Sequence, residues 1–192
     1  ITISAFVWIY GIQITNIDIS FLRLNVEFIQ LNKLISFFLT IIWITGITNA
    51  INWIDGLDGL ASSLVGVSSL SFGILIMLEG NIQEGLVLIG ISGSCLGFLI
   101  FNRYPAKLIM GDGGSYFLGF NLSIVSFISY ADNSTPFDVR VVLLIMFIPI
   151  ADMVYVIFKR IINGKVPLYP DKTHLHHRLL ECGLNQRETV NI

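Results

Sequence analysis

The stretch "LISFFLTIIWITGIT" (residues 34–48) runs without a break into "NAINWIDGLDGLA" (residues 49–61). The first part is an apolar run close to the length of a membrane-spanning helix, which needs roughly 17–25 such residues. The second part gathers two amides, two carboxylates and two glycines. This junction predicts a membrane helix that ends in a polar turn. Apolar runs followed by polar stretches recur along the rest of the chain.

The composition supports a membrane protein. Of the 192 residues, 54% are hydrophobic and only 12% are charged, and the mean hydropathy is +0.79. A soluble domain carries about twice that charged fraction. The net charge of -2 argues against attraction to nucleic acid. The two cysteines, Cys95 and Cys182, form neither a disulfide framework nor a metal-binding spacing. The expected fold class is therefore an all-α polytopic membrane protein.

Apolar blocks predict about five to six transmembrane helices. A partial span covers residues 1–10, and the full spans are 34–48, 60–78, 86–101, 114–131 and 141–158. Residues 11–33 alternate apolar and polar side chains in places, which predicts a short β-hairpin. The chain begins within an apolar run without Met, so we expect residues 1–192 to be a partial transmembrane domain, truncated at both ends.

Lysine and arginine predict the orientation of these spans. One set of loops, residues 49–59, 102–113 and 159–188, holds eight of the eleven Lys and Arg residues. The opposite loops hold only Arg23, Lys33 and Arg140. The first set is therefore expected to face the cytoplasm and the hairpin to be extracytoplasmic. Every polar cluster of the chain then lies on the cytoplasmic side.

The first polar cluster repeats at every third position: Asn49, Asn52, Asp55 and Asp58. Such a row forms one broad face on an α-helix or a 3₁₀ turn. Gly56 and Gly59 allow a backbone or a phosphate to approach closely. Alternatively, Asp55 or Asp58 caps the next helix, although capping needs one residue and not four.

The second cluster is "FNRYPAKLIMGDGGSYFLGF" (residues 101–120), in which Asn102 and Asp112 flank a loop that contains Lys107. Asp112 precedes a span and is either a helix N-cap or a ligand to a divalent cation that carries phosphates. The glycine amides beside it suit anionic oxygens at a helix N-terminus.

The third cluster, "PDKTHLHHRLL" (residues 170–180), contains all three histidines, His174, His176 and His177. A zinc site is one interpretation, but Asp171 is the only carboxylate close by on the N-terminal side. The other is a set of donors for a pyrophosphate, which Lys172 and Arg178 complete.

Asp152 lies within the last predicted span, and an intramembrane carboxylate indicates either a functional site or a pair with a basic residue such as Arg160.

Together the three polar clusters supply carboxylates for a metal and donors for phosphates, and the surrounding walls are apolar. Phosphoryl transfer needs these metal-binding and phosphate-binding groups, because its catalysis is mostly positioning and charge neutralisation. A nucleotide-activated donor would arrive from the cytosol and a lipid phosphate from the bilayer.

The three motifs closely resemble those of the polyprenyl-phosphate N-acetylhexosamine-1-phosphate transferases (glycosyltransferase family 4), over about residues 34–183. The resemblance implies transfer of a sugar 1-phosphate from a UDP-N-acetylhexosamine to undecaprenyl phosphate, with release of UMP. It implies Mg²⁺ as cofactor, with Mn²⁺ as a substitute. It also implies a multi-pass protein of the cell (inner) membrane with a cytoplasmic active site, and it is compatible with a homodimer.

Carried over by position, Asp112 resembles the metal-binding aspartate, Asn52 the asparagine near metal and pyrophosphate, and Asp58 the residue that recognises uracil. With the polar clusters, this gives the expected catalytic residues Asp55, Asp112, His176 and His177. The expected substrate-binding residues are Asn49, Asn52, Asp58, Asn102, Lys107, His174 and Arg178. The expected metal ligands are Asp112 and Asn52.

The form "HLHH" followed by Arg resembles the branch that uses UDP-N-acetylglucosamine and starts lipopolysaccharide O-antigen, enterobacterial antigen or teichoic acid linkage units. The peptidoglycan branch has a differently arranged histidine motif. The family also carries an upstream Asp-Asp pair followed by Lys that this chain lacks, so the 192 residues alone are expected to be inactive.

A transporter or a flippase of lipid-linked sugars is the main alternative. A transporter would place its carboxylates near the bilayer midplane on broken helices, whereas here the acids cluster at one interface. A flippase would not need a metal cluster with histidines. An intramembrane aspartyl protease needs two aspartates within spans, and only Asp152 is so placed.

Overall fold

The computed structural model describes residues 1–22, 28–128, 138–167 and 173–191. The chain is mostly helical and has one small sheet, as predicted. Its elements are α1 (Thr2–Ile9), β1 (Asn16–Asp18), a 3₁₀ turn (Ser20–Leu22), β2 (Phe28–Gln30), α2 (Lys33–Ile54), α3 (Leu60–Leu78), α4 (Ile82–Asn102), α5 (Gly111–Ile128), α6 (Val139–Ile145), α7 (Phe147–Ile162), α8 (Leu175–Glu181) and α9 (Gln186–Asn191).

The predicted hairpin is confirmed as a two-stranded antiparallel sheet in which β1 pairs with β2, with Ile17 opposite Ile29. Residues 23–27, which connect the strands, lie outside the described residues. The guanidinium of Arg140 lies 2.8 Å from the Asp18 carboxylate and 2.8 Å from that of Asp138. These ion pairs join the hairpin to the first turn of α6.

Three helices, α2, α3 and α4, are long and apolar enough to cross a membrane. Helix α2 begins where the Asn32 side chain accepts a hydrogen bond from the Ile35 amide, at 2.9 Å. It continues to Ile54, beyond the predicted end at residue 48, so that Asn49 and Asn52 are helical. The polar cluster therefore begins on the last turns of a membrane helix and ends in the turn that follows.

The predicted span 141–158 is wrong as a single helix, because the chain bends by 86° between α6 and α7. Pro149 stands in the first turn of α7. Proline has no amide hydrogen, and its ring would clash with the carbonyl four residues earlier, at Ile145, if the helix continued. The bend lies at Met146, between Ile145 and the proline.

The described residues contain fewer candidate spans than the sequence predicts for the whole chain. Within the described residues, three helices pass the length and composition test, or four if the bent pair counts as one span. Helix α5 begins with the polar turn "GDGGS" and ends at Ile128. The rest of its predicted span, residues 129–131, lies outside the described residues. The chain is thus a multi-pass membrane protein with three to four candidate spans in the described residues, and the total of five to six stays a prediction.

Antiparallel packing brings the polar ends of the helices together. Helix α2 packs against α5, and α3 packs against α4. Buried side chains from both pairs form one apolar core, among them Ile47, Ile51, Val65, Leu88 and Leu122. Because consecutive spans alternate in direction, the end of α2, the start of α3, the end of α4 and the start of α5 lie at the same end of the bundle.

The α2–α5 contact depends on a glycine. A Cβ atom at Gly119 would lie 2.9 Å from the Thr48 Cα and 3.0 Å from the Thr48 carbonyl oxygen. Both are backbone atoms, so the helices can approach this closely only without a side chain at position 119. Small residues commonly allow such contacts between membrane helices.

We therefore expect Gly119→Ala to destabilise the bundle. Forcing an extra methyl group into a packed contact costs about 1–3 kcal/mol, and about 2–4 °C of melting temperature accompanies each kcal/mol. The melting temperature of the purified protein in detergent should fall accordingly. Gly93→Ala is the matched control, since nothing lies within 4 Å of a Cβ built there. Equal melting temperatures for the two variants would contradict the close contact at Thr48.

Candidate active site

The first and second polar clusters meet at Asn52. Its amide nitrogen donates to Asp112 Oδ1 at 3.2 Å and to Ser115 Oγ at 2.9 Å. Asn52 lies in the last turn of α2, whereas Asp112 and Ser115 lie near the start of α5. The α2–α5 packing thus brings together residues that are 60 positions apart in the sequence.

Asp55 and Asp112 form what we call the carboxylate pair. Asp55 directly follows the last residue of α2 and is partly buried, and Asp112 is exposed. Burial raises the pKa of Asp55, and the negative charge of Asp112 raises it further. Ionising both groups is therefore unfavourable without a compensating positive charge.

The residues around the carboxylate pair fit a divalent cation. Among the described residues, no group of three His, Cys, Asp or Glu side chains is arranged to enclose a metal. Mg²⁺ does not require one, because it is usually bound by one or two carboxylates together with substrate phosphate oxygens and water. Asp112 and Asp55 would supply the carboxylates, with the Asn52 amide beside them.

The Asn102 side chain connects the turn after α2 to the loop after α4 through hydrogen bonds. Its side chain is 4% exposed. Its Oδ1 accepts from the Gly59 amide at 3.1 Å and from Ser62 Oγ at 2.8 Å, and its Nδ2 donates to the Leu108 carbonyl at 2.9 Å. These contacts give Asn102 a positioning role, whereas its contact with substrate stays a prediction.

Asp58 supports the same pair of loops. Its Oδ2 accepts a hydrogen bond from the Ala106 amide at 3.0 Å. Gly59, the next residue, has a φ of +82° at the start of α3, a conformation that favours glycine. The turn after α2 and the loop after α4 therefore form one unit, and the contact of Asp58 with the nucleotide stays a prediction.

Two predicted substrate-binding residues lie apart from these contacts. The Asn49 amide donates to the Thr45 carbonyl of its own helix at 2.7 Å, so Asn49 is turned back along α2. Lys107 is exposed on the loop between α4 and α5, and its backbone amide donates to Phe101. The geometry is compatible with a basic group reaching a donor phosphate from this loop.

The three histidines form a compact group at the start of α8, which we call the histidine cluster. The rings of His174 and His176 are stacked with centroids 5.7 Å apart, and those of His176 and His177 are 4.3 Å apart. Residues 168–172, which include the predicted Asp171 and Lys172, lie outside the described residues.

Asp152 contacts the histidine cluster. Its Oδ2 lies 2.8 Å from His174 Nδ1, and its Oδ1 accepts from the Leu175 amide at 2.6 Å. The suggested pair with Arg160 is thus not the arrangement found. The Arg160 guanidinium lies 5.0 Å from the centroid of the Trp53 ring and donates to the Pro167 carbonyl. Arg178 similarly lies over the Tyr155 ring, at 4.7 Å.

His176 joins the histidine cluster to the first motif. Its Nε2 lies directly against Gly56, where a Cβ atom would overlap the imidazole. The pKa of His176 is lowered to about 4, chiefly by burial and also by the neighbouring His177 and His174, against the opposing effect of Asp152. His176 is therefore neutral at pH 7. Its Nε2 is buried and has no hydrogen-bond partner in the described part of the chain.

All three polar clusters thus meet at one end of the bundle. The contacts of Ser115 and Trp53 were not predicted from the sequence, and Gly56 was predicted only as a position of close approach. The Trp53 ring packs edge-on against His174 at 5.8 Å while Arg160 lies over it. Ser115 follows Asp112 by three positions, a helical spacing that points at the same face. From that spacing, Ser115 could have been predicted to lie beside Asp112. The contact at Gly56 depends on the tertiary fold alone.

Gly56→Ala should displace the histidine cluster and lower activity. Gly56 does not have a positive φ, so the backbone accepts alanine and the effect comes from the clash with His176. A misplacement of about 1 Å can reduce turnover about 100-fold. Turnover of the complete gene product in membranes measures the effect. Gly97→Ala, where the Cβ would meet nothing within 4 Å, is the control. Equal turnover in both variants would contradict the docking of His176 on Gly56.

Comparison with known proteins identifies the family of the chain. Residues 1–130 match the model of the glycosyl transferase family 4. The matched region covers more than half of the chain, and it contains α1–α5 with the first two polar clusters. The chain therefore belongs to the glycosyl transferase family 4, a family of membrane proteins.

Among the relatives, a "Probable undecaprenyl-phosphate N-acetylglucosaminyl 1-phosphate transferase" of Bacillus subtilis is 41% identical over 152 residues, which are 79% of this chain and 42% of that protein. A "Decaprenyl-phosphate N-acetylglucosaminephosphotransferase" of Mycobacterium leprae is 36% identical, over 84% of this chain and 46% of that protein. A "Phospho-N-acetylmuramoyl-pentapeptide-transferase" of Desulforamulus reducens is 48% identical, over 43% of this chain and 25% of that protein. The chain therefore spans less than half the length of these relatives.

Proposed function

We propose that this chain carries part of the active site of an enzyme that transfers N-acetylglucosamine 1-phosphate from UDP-N-acetylglucosamine to undecaprenyl phosphate. The products are UMP and a lipid-linked pyrophosphoryl sugar. The observation that carries the proposal is the contact between Asn52 and Asp112 beside Asp55, at the end of a bundle of membrane helices. A carboxylate pair at this position suits a reaction between a soluble nucleotide and a lipid phosphate.

Mg²⁺, or Mn²⁺ in its place, is the proposed cofactor, and when bound it would neutralise charge on the donor pyrophosphate. Asp112 and Asp55 would hold it, and the hydrogen bonds from Asn52 to Asp112 and Ser115 keep the start of α5 in place. The raised pKa of Asp55 supports this role, because a cation between the two carboxylates would remove their repulsion.

The histidine cluster, Lys107 and Arg178 are proposed to bind the donor. His176 is neutral at pH 7 because its pKa is lowered to about 4, so it would add no positive charge to the donor phosphates. Lys107 and Arg178 are exposed and supply positive charge to the phosphates. Asp58 and Asn102, which hold the neighbouring loops, are proposed to shape the nucleotide end of the site.

The names of the relatives support N-acetylglucosamine as the sugar. The proteins from B. subtilis and M. leprae are named for N-acetylglucosamine and align over most of this chain. The protein from D. reducens is named for a muramoyl-pentapeptide but aligns over less than half of it. We further propose that the site faces the cytoplasm across the cell membrane, as the lysine and arginine distribution indicates.

Membranes that contain the complete gene product test the proposal when they are incubated with sugar-labelled UDP-N-acetylglucosamine and undecaprenyl phosphate. We expect label to enter an organic-soluble product, and only when both the lipid phosphate and a divalent cation are present. Unlabelled UDP-N-acetylmuramoyl-pentapeptide should not compete. Uptake of a solute without any lipid product would favour the transporter alternative, and movement of preformed lipid-linked sugar would favour a flippase.

A further inference from the structure

We propose that Asp152 is a positioning residue of the site, which fixes the ring orientation and tautomer of His174 and thereby holds the histidine cluster against the first motif. The inference rests on the proposed function where it concerns turnover. Its structural part, the hydrogen-bonding state of His174, can be measured without any activity.

Both oxygens of the Asp152 carboxylate are used, and each fixes a different part of the cluster. Oδ2 lies 2.8 Å from His174 Nδ1, so it sets the plane of the imidazole. Oδ1 accepts from the amide of Leu175, the first residue of α8, at 2.6 Å. One side chain of α7 therefore places both a ring and the start of the helix that carries His176 and His177.

The contact is buried. Side-chain exposure is 9% for His174 and 3% for Asp152. A cavity of about 430 Å³ between α3, α6, α7 and α8 borders Asp152 and His176, and apolar residues such as Leu64, Ile148 and Leu179 line most of it. A buried polar pair of this kind contributes little to stability, because desolvation offsets the attraction. Its presence is therefore better explained by the orientation that it gives to His174.

The carboxylate also selects a tautomer. A carboxylate can only accept, so a neutral His174 must carry its proton on Nδ1 and leave Nε2 as an acceptor. The chain of contacts then continues from His174 to the stacked ring of His176, and from His176 Nε2 to Gly56. Asparagine at position 152 would keep the shape, but its amide nitrogen would donate to Nδ1 and favour the opposite tautomer.

The kinetic test is a double-mutant cycle with Asp152→Asn and His174→Gln in the complete gene product. Loss of a partner that orients a functional histidine typically lowers activity about 10- to 100-fold, and we expect Asp152→Asn to lower turnover by that factor. In the His174→Gln background, the same substitution should have no further effect, because Asp152 acts through His174. Losses that multiply would overturn the proposal.

Asp138→Asn is the matched control. Asp138 is also an aspartate in an ion pair, but its partner is Arg140 at the start of α6, outside the site. We expect its turnover to equal that of the wild type. A loss as large as that of Asp152→Asn would show that any broken ion pair disturbs the protein, and would overturn the specific role of Asp152.

Nitrogen NMR of the protein labelled at histidine gives the readout that a purely structural role would not change. In the wild type, we expect the His174 signal of the neutral ring to show a protonated Nδ1 and an unprotonated Nε2. Asp152→Asn should reverse this pattern. The opposite tautomer in the wild type would overturn the proposal even if the variant did not fold. A wild type with the expected tautomer but without lipid product would refute the proposed function alone.

Discussion

Asp112→Asn should abolish formation of the lipid product, with turnover at least about 1000-fold below the wild type. A bound divalent cation contributes several kcal/mol of charge stabilisation in the transition state, and each 1.36 kcal/mol corresponds to a factor of about ten in rate. Asparagine keeps the shape and can still contact Asn52, which lies 3.2 Å from Asp112 Oδ1. The loss would therefore come from the missing charge. Incorporation of labelled sugar into lipid measures it.

Asp18→Asn serves as the control for Asp112→Asn, because Asp18 lies on the hairpin and pairs with Arg140 away from the site. The concentration of Mg²⁺ that gives half-maximal activity should be unchanged in this control. Any residual activity of Asp112→Asn should require much more Mg²⁺. Near wild-type turnover with an unchanged Mg²⁺ requirement would contradict the assignment of Asp112 as a metal ligand.

Asp55→Asn should also remove activity, yet it should make the metal-free protein more stable at neutral pH. The pKa of Asp55 is raised in the folded state by burial and by Asp112. For a raised pKa, the stability contribution is complete below the unfolded pKa and is lost as the pH rises through the folded pKa. Neutral pH lies above the unfolded pKa, so part or all of this contribution is lost there, and asparagine, which does not ionise, is not subject to that loss.

Melting temperatures in detergent, measured with a chelator at several pH values, test this second prediction. The gain from Asp55→Asn should be largest at neutral pH and should shrink as the pH falls through the folded pKa of Asp55. Asp58→Asn provides the comparison, because the Asp58 carboxylate accepts a hydrogen bond from Ala106 and its replacement should give no gain. Adding Mg²⁺ should stabilise the wild type and not Asp55→Asn. An Asp55→Asn protein that is less stable than the wild type at neutral pH would contradict repulsion within the carboxylate pair.

Local features made the outline of the fold predictable from the sequence. Long apolar runs predicted α2, α3 and α4, because a membrane helix satisfies its own backbone and needs only length and hydropathy. The alternation in residues 11–33 predicted the paired strands β1 and β2. The periodicity of three in the first motif correctly placed polar groups at one helix end, where Asn52 now contacts Asp112.

Long-range contacts were not predictable in the same way. The bend at Met146 follows from Pro149, but a proline within an apolar run is also compatible with a kinked single span. The sequence offered Arg160 as a partner for Asp152, because Arg160 is nearby on the same helix. The partner found, His174, is 22 positions away and reaches Asp152 only through the tertiary fold. The same holds for Gly56 and His176, whose contact no spacing in either motif could reveal.

Identifying the nucleotide product tests the central claim most directly. Membranes with the complete gene product are incubated with undecaprenyl phosphate and with UDP-N-acetylglucosamine that carries a labelled β-phosphate. Transfer of a sugar 1-phosphate predicts that UMP is released in equal amount to the lipid product, and that the labelled phosphate enters the lipid with the sugar. Release of UDP, with the labelled phosphate left on the nucleotide, would contradict the account, because the carboxylate pair would then not serve phosphoryl transfer.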